Sequence, residues 1–251
     1  MNKLLDAVGV ALSSVWTNKL RSFMMILGNV VAVTSIIAVV SLIRGMDTYV
    51  SNAIVGEVGA GTFKVMRVGF VTDEEQEERA RRRNPVVTLA DMRAIGSYSE
   101  LVDAVMAESG AGANISFEET TLENTRVIGV SADYAEFSGY TPATGRIPSR
   151  QEVERSRPVV LLGWDTAENL FKGRDPIDKV IRIRSMHFRV VGVNEKKGSV
   201  FGNSQDEFAI LPLGAFWKLF GSRRSLEVTV KPVDPSELTA TMDDARVALR
   251  I

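Results

Sequence analysis

The chain has no cysteine, a single histidine and almost no net charge, with 30 Lys plus Arg set against 31 Asp plus Glu. Without cysteine there is no disulfide, no C-x-x-C redox motif, no thiolate zinc site and no cysteine nucleophile. His187 stands in the alternating stretch Met186-His187-Phe188-Arg189-Val190. One histidine without cysteine falls short of the usual zinc ligand set, so it reads as a surface or packing residue of a strand. The balanced charge carries no basic stripe, which argues against nucleic acid as a partner. No G-x-S-x-G elbow occurs, and an α/β-hydrolase triad has no support. The adjacent carboxylates Glu118-Glu119 and Asp243-Asp244 have no counterpart motif and read as solvated surface. No G-x-x-x-x-G-K-[ST] occurs either, so the chain does not cradle nucleotide phosphates in the Walker manner. If ATP drives this protein, another polypeptide hydrolyses it. No catalytic, cofactor-binding or metal-ligating residue is assigned, and no enzyme activity or cofactor is expected.

What the sequence does have is an unbroken apolar run, Phe23 to Ile43, without an ionisable side chain. As a helix it spans about 31 Å, matching a hydrocarbon core of about 30 Å. Lipid leaves unpaired backbone groups unsatisfied, so a lone spanning segment is helical. Buried helices of soluble cores rarely stay charge-free for this long, and the run exceeds the apolar region of a cleavable signal peptide. Arg44-Gly45-Met46-Asp47, which follows, is a poor cleavage context. A retained membrane anchor is expected. Lys3, Lys19 and Arg21 precede the run, while only Arg44 follows it before Lys64. That bias places the N-terminus in the cytoplasm and the rest outside.

Before the span, Leu4, Leu5, Val8, Leu12, Val15, Trp16 and Leu20 recur at helical spacing. The expectation is an amphipathic helix over 1–22 lying on the cytoplasmic face, with Trp16 in the headgroup layer and membrane lipid as its partner. Within the 23–43 span, from Phe23 to Ile43, the small residues Gly28, Ala32 and Ser35 share a face that would let a second helix approach.

Beyond the span lies one region, 44–251. Gly45 to Gly61 continues helical before breaking near Gly56–Gly59, and Thr62–Val68 alternates as a strand. Asp73–Arg83, acidic and then basic, reads as a solvated loop or short exposed helix. Thr88 caps the next helix with Asp91 three residues on. Strands are expected at 102–107, 113–117, 125–130, 159–163, 180–183, 188–193, 207–211 and 226–231, with helices at 165–172, 213–220 and 235–250. The pattern describes an α+β region with a β-rich insertion.

Several segments, in order, resemble the MacB-like and FtsX-like family of ABC-transporter permeases. They are ALSSVWTNKLRSFMMILG from Ala11 to Gly28; Thr88-Leu89-Ala90-Asp91 with Ile95; Val127–Tyr134 followed by Gly145-Arg146; Val159–Gly163 with Leu170-Phe171, Asp175-Pro176-Ile177 and Phe188–Val193; and Ile210-Leu211-Pro212-Leu213. Where the family usually has glycine after D-P-hydrophobic, this chain has Asp178. Family members carry three further spans, and this sequence stops at Ile251 in a helix that would lead into the second, so it resembles the N-terminal part of such a permease.

The resemblance implies one transmembrane helix and an extracytoplasmic porter-like α/β subdomain (62–112 plus 206–250) carrying an inserted β-rich subdomain (113–205). It implies a bacterial inner-membrane permease subunit, paired with a second permease subunit as a dimer. A separate ABC ATPase subunit and a periplasmic adaptor complete the expected partners. Export or mechanotransmission is the expected role, and Leu12, Val15, Trp16 and Arg21 form the candidate helix through which ATPase motion enters. The alternative is a single-span, membrane-anchored periplasmic binding or adaptor module.

Overall fold

The computed structural model describes Trp16 and residues 19–58, 61–69, 73–137, 141–200 and 202–250. Leu12 and Val15 lie outside the described residues, as does most of the expected amphipathic helix. The chain divides into two units, Met1–Ile54 and Val55–Ile251, each described by itself.

The first unit is dominated by α1 (Lys19–Val58). Its stretch Lys19–Arg44 has a mean hydropathy of 2.4, and none of it is buried within the chain. The helix of a soluble core would hide at least one face. This one exposes Phe23, Met25, Val30, Val33, Ile36, Leu42 and Ile43, which lie all around its axis.

Among the described residues of the second unit, nine strands join in one sheet of order β1-β11-β2-β3-β10-β5-β7-β4, with β6 bridging β2 and β7. The strands are β1 (Phe63–Val65), β2 (Val102–Phe117), β3 (Thr120–Val130), β4 (Pro142–Gly145), β5 (Val159–Leu162), β6 (Val180–Ile183), β7 (Met186–Asn194), β10 (Phe208–Pro212) and β11 (Glu227–Pro232). A small hairpin, β8 (Ser199–Val200) with β9 (Asn203–Ser204), stands apart. Because β6 pairs with both β7 and the far end of β2, at Ile115↔Ile183 and Ser116↔Arg182, strands β2, β3, β10, β5, β7 and β6 close into a ring. The ring encloses Ile115, Leu162, Ile181, Ile183, Phe188 and Val190. They share a core with Leu170 and Phe171 of α5 (Trp164–Phe171) and Phe216 of α6 (Leu213–Phe220). Burying such a side chain stabilises by about 1.5–3 kcal/mol.

A second core, Met106, Ile128, Val130, Tyr134, Val153, Leu161 and Ile210, lies on the other sheet face. The 3₁₀ turn Ala132–Glu136 and the short helix α4 (Arg150–Glu154) cover it. Tyr134 is fully buried, and its hydroxyl donates to the Pro148 carbonyl at 2.8 Å. Met106 and Val105, neighbours in β2, serve opposite cores, as strand alternation requires.

The two strands expected at 102–107 and 113–117 are one 16-residue strand. Within it Gly112 lets β3 come close: a Cβ there would overlap the Asn124 side chain. The charge run is the exposed helix α2 (Glu74–Arg83), capped by Asp73 and laced by Glu75–Arg79, Glu77–Arg81 and Glu78–Arg82 pairs. Acids early and bases late also complement its dipole. Helix α3 (Leu89–Tyr98) begins with the expected capping box between Thr88 and Asp91. The expected 235–250 helix starts as a 3₁₀ turn, Pro235–Glu237, and continues as α7 (Leu238–Ala248).

Glu118, Glu119 and Asp243 are exposed, as expected, and Asp244 is half-buried. Asp244 accepts from Ser99 Oγ at 2.6 Å, joining α7 to the end of α3. Glu118 pairs with Arg174 at 2.9 Å, and that guanidinium also stands over the Phe117 ring. His187 is an exposed residue of β7, paired across from Arg182. Asp178 has φ of 60°, the left-handed conformation in which glycine is unstrained.

Candidate membrane anchor and coupling surface

The residues expected to span the membrane are all on α1. Phe23 is 59% exposed and Ile43 53%, with Gly28, Ala32 and Ser35 also exposed between them. Among the described residues, nothing beyond the helix's own adjacent backbone lies within 4 Å of where a Gly28 Cβ would sit. Ser35 Oγ donates to the Val31 carbonyl at 2.8 Å, so the hydroxyl is satisfied within the helix and costs little in lipid. Positions 28, 32 and 35 fall on one helical face. Trp16 is helical and 74% exposed, and Arg21 opens the span without burial.

In the second unit the polar groups tie strands together; no described group of three His, Cys, Asp or Glu side chains could hold a metal ion. Lys64 on β1 reaches Glu108 on β2 at 2.8 Å and Glu227 on β11 at 3.7 Å. Glu108 and Glu227 sit directly opposite each other in the ladder, and Glu108 is only 6% exposed. Lys64 therefore offsets two facing carboxylates at once. Its strand is the first after α1, so the ammonium fastens the start of the sheet to its centre. Asp206 is fully buried and accepts from the amides of Lys197 and Gly198, at 2.7 to 3.0 Å, which holds the base of the β8–β9 hairpin.

At the other edge, Arg146 meets Glu152 through two guanidinium bonds, at 2.7 and 2.9 Å. Glu152 also accepts from the Ser149 amide at 2.8 Å, completing a capping box on α4. The Arg146 bonds above all, and then those from Ser149, hold the Glu152 carboxyl down to about 2 against the opposing effect of burial. Its folded pKa lies below its unfolded value, so its stabilisation is present above the ordinary carboxylate range and is lost as pH falls toward 2. Glu152→Gln is expected to lower the thermal midpoint of the detergent-solubilised chain at pH 6. The gap to wild type should narrow steadily between pH 4.5 and 2. A gap constant across that range would show that the ion pair does not stabilise the fold.

The sequence reading missed Lys64, Glu108, Arg146 and Glu152 as a group. Ser149-x-x-Glu152 was a legible capping signal; the Lys64 contacts depend on strand register, which no local pattern specifies.

Comparison with known proteins follows the same outline. The family model described as the MacB-like periplasmic core domain matches residues 22–248. The macrolide export ATP-binding/permease protein MacB of Chlorobaculum tepidum is 30% identical over 88% of this chain and 33% of its own length. That of Bdellovibrio bacteriovorus is 29% identical over 90% of this chain and 34% of its own. The chain thus spans about a third of the length of the curated relatives it matches. Among solved structures, the periplasmic region of MacB from Actinobacillus actinomycetemcomitans matches with a TM-score of 0.65 at 18% identity, covering 78% of this chain and 86% of that one. The extracellular domain of the noncanonic ABC-type transporter YknZ from Gram-positive bacteria matches with a TM-score of 0.60 at 17% identity, covering 74% and 92%. At those identities the likeness is one of fold.

Proposed function

We propose, from the premise that this chain belongs to the MacB-like periplasmic core domain family, that it is a permease component of a cell-envelope ABC transporter. In this reading a separate ATPase subunit hydrolyses ATP in the cytoplasm, and the work reaches the extracytoplasmic domain through α1. The observation that carries the reading is the family match at 22–248, which takes in the exposed apolar helix and the folded domain together.

The mechanism is conformational. An ATPase dimer that closes on nucleotide binds one arrangement of the permease better than another and shifts its population. Gly28, Ala32 and Ser35 are the proposed contact with a second permease subunit, and Leu12, Val15, Trp16 and Arg21 the proposed cytoplasmic handle. Trp16 would fix depth in the interface, and Arg21 would sit near anionic lipid, where one basic residue is worth about 1 kcal/mol. Residues 62–112 with 206–250 are the proposed porter-like part, and 113–205 the inserted lobe. The work would be export or force transmission to a periplasmic adaptor at a bacterial inner membrane. The rival is an anchored binding or adaptor module without an ATPase, which needs one span only.

Because the chain is free of cysteine, sidedness is testable without background. Ser199→Cys is expected to react with an impermeant thiol reagent on cells with a permeabilised outer membrane, and Ser14→Cys only after lysis. Labelling of position 14 but not 199 would overturn the topology. Co-purification with an ATPase subunit from native membranes supports the permease, and solitary purification supports the rival.

A further inference from the structure

On the sheet face that carries α4, a cleft of about 760 Å³ is lined by Arg146, Arg155, Arg157 and Arg189 against only two acids, Glu152 and Asp178. The formal excess is two positive charges, and the four guanidiniums are not equivalent. Arg146 is committed to Glu152 by its two bonds. Arg155, Arg157 and Arg189 are exposed, and among the described residues none of their guanidiniums has an ion pair or hydrogen bond.

Two of them come from adjoining segments. Val159 of β5 pairs with Arg189 of β7, and the Arg189 amide donates to the Pro158 carbonyl at 2.9 Å. Arg157 lies just before β5, in a turn where the Val159 amide donates back to its carbonyl at 2.8 Å, and it lines the same cleft as Arg189. Buried Val159 and Val191 line the cleft as well. The site thus combines apolar lining with uncommitted guanidinium forks.

The second arginine-rich cleft of the domain shows the contrast. It is lined by Arg67, Arg81, Arg223 and Arg224, but most of these are occupied. Arg67 donates to the carbonyls of Asn84 and Arg81, Arg81 pairs with Glu77, and Arg224 donates to Gly110. Only the first cleft keeps several forks free.

The geometry points to this first cleft as a docking site for an acidic polypeptide segment of a protein partner. Guanidinium forks match carboxylates two bonds at a time, and a groove of this volume, with arginines spread over three chain segments, suits several carboxylates in series better than one small anion. The site is distinct from the ATPase coupling proposed above and is measured without any ATPase, so either can fail alone.

The test uses the full chain in nanodiscs of zwitterionic lipid and a fluorescent peptide of alternating Asp and Ala. Binding is expected to weaken with salt and to fall about tenfold in Arg157→Ala/Arg189→Ala, a difference of about 1.4 kcal/mol. The lysine pair Arg157→Lys/Arg189→Lys should fall between, since it keeps charge but loses the fork. Arg223→Ala/Arg224→Ala should bind as wild type. Equal binding by all four chains would overturn the proposal. So would full displacement of the peptide by equimolar inorganic phosphate, which marks a small-anion site. Arginine-dependent binding to anionic vesicles without peptide binding would also overturn it, since the ligand would then be a lipid surface.

Discussion

Lys64→Met is expected to destabilise the extracytoplasmic domain by about 3 kcal/mol, the scale of breaking a largely buried ion pair by removing one partner. The variant leaves Glu108, 6% exposed, directly opposite Glu227 with no cation between them. Like charges facing across a ladder repel, and one of these cannot turn to solvent. For a chain of this size the thermal midpoint should drop by about 9 °C. Glu108→Met added to Lys64→Met should recover most of the loss, because the uncompensated carboxylate and not the missing contact carries the penalty. The check is thermal unfolding of the single, double and wild-type chains in detergent. A double variant as unstable as the single would show that Lys64 acts through packing instead.

The second large effect is functional. Leu12→Glu with Val15→Glu is expected to abolish coupling while leaving the membrane anchor in place, since the Phe23–Ile43 run is untouched. Two carboxylates at positions that the sequence spacing assigns to the apolar face of the proposed interfacial helix would lift that face out of the lipid boundary. In a reconstituted complex with the ATPase subunit, stimulation of ATP turnover by the outside partner should disappear, with basal turnover retained. Membrane fractionation of the variant is the control. Normal insertion together with wild-type stimulation would reduce the helix to a leader.

How far the fold could be read from residues depended on the range of the forces involved. The Thr88–Asp91 capping box, the 180–183 strand and the 213–220 helix were legible because neighbouring residues specify them. The continuity of β2 was not. Gly110 and Gly112 weaken a strand locally, and only pairing to β3 on one side and to β11 and β6 on the other holds the segment extended. Ring closure through Ile115 and Ile183 and the pairing of Val159 with Arg189 are set by register between distant strands, beyond any local pattern. The long exposed apolar helix was the most legible feature, because an uncharged run of such length admits few alternatives. The coupling residues Leu12 and Val15 rest on sequence spacing alone.

The central claim is that ATP hydrolysed on one side of the membrane moves the domain on the other. Ser199→Cys, in a chain with no other thiol, accepts an environment-sensitive fluorophore on an exposed position of the β8–β9 hairpin. With this chain and its ATPase subunit in proteoliposomes, ATP supplied to the cytoplasmic side should change the fluorescence. Addition of Leu12→Glu and Val15→Glu should remove the change without stopping ATP turnover. Unchanged fluorescence while the wild-type complex turns over ATP would contradict the account.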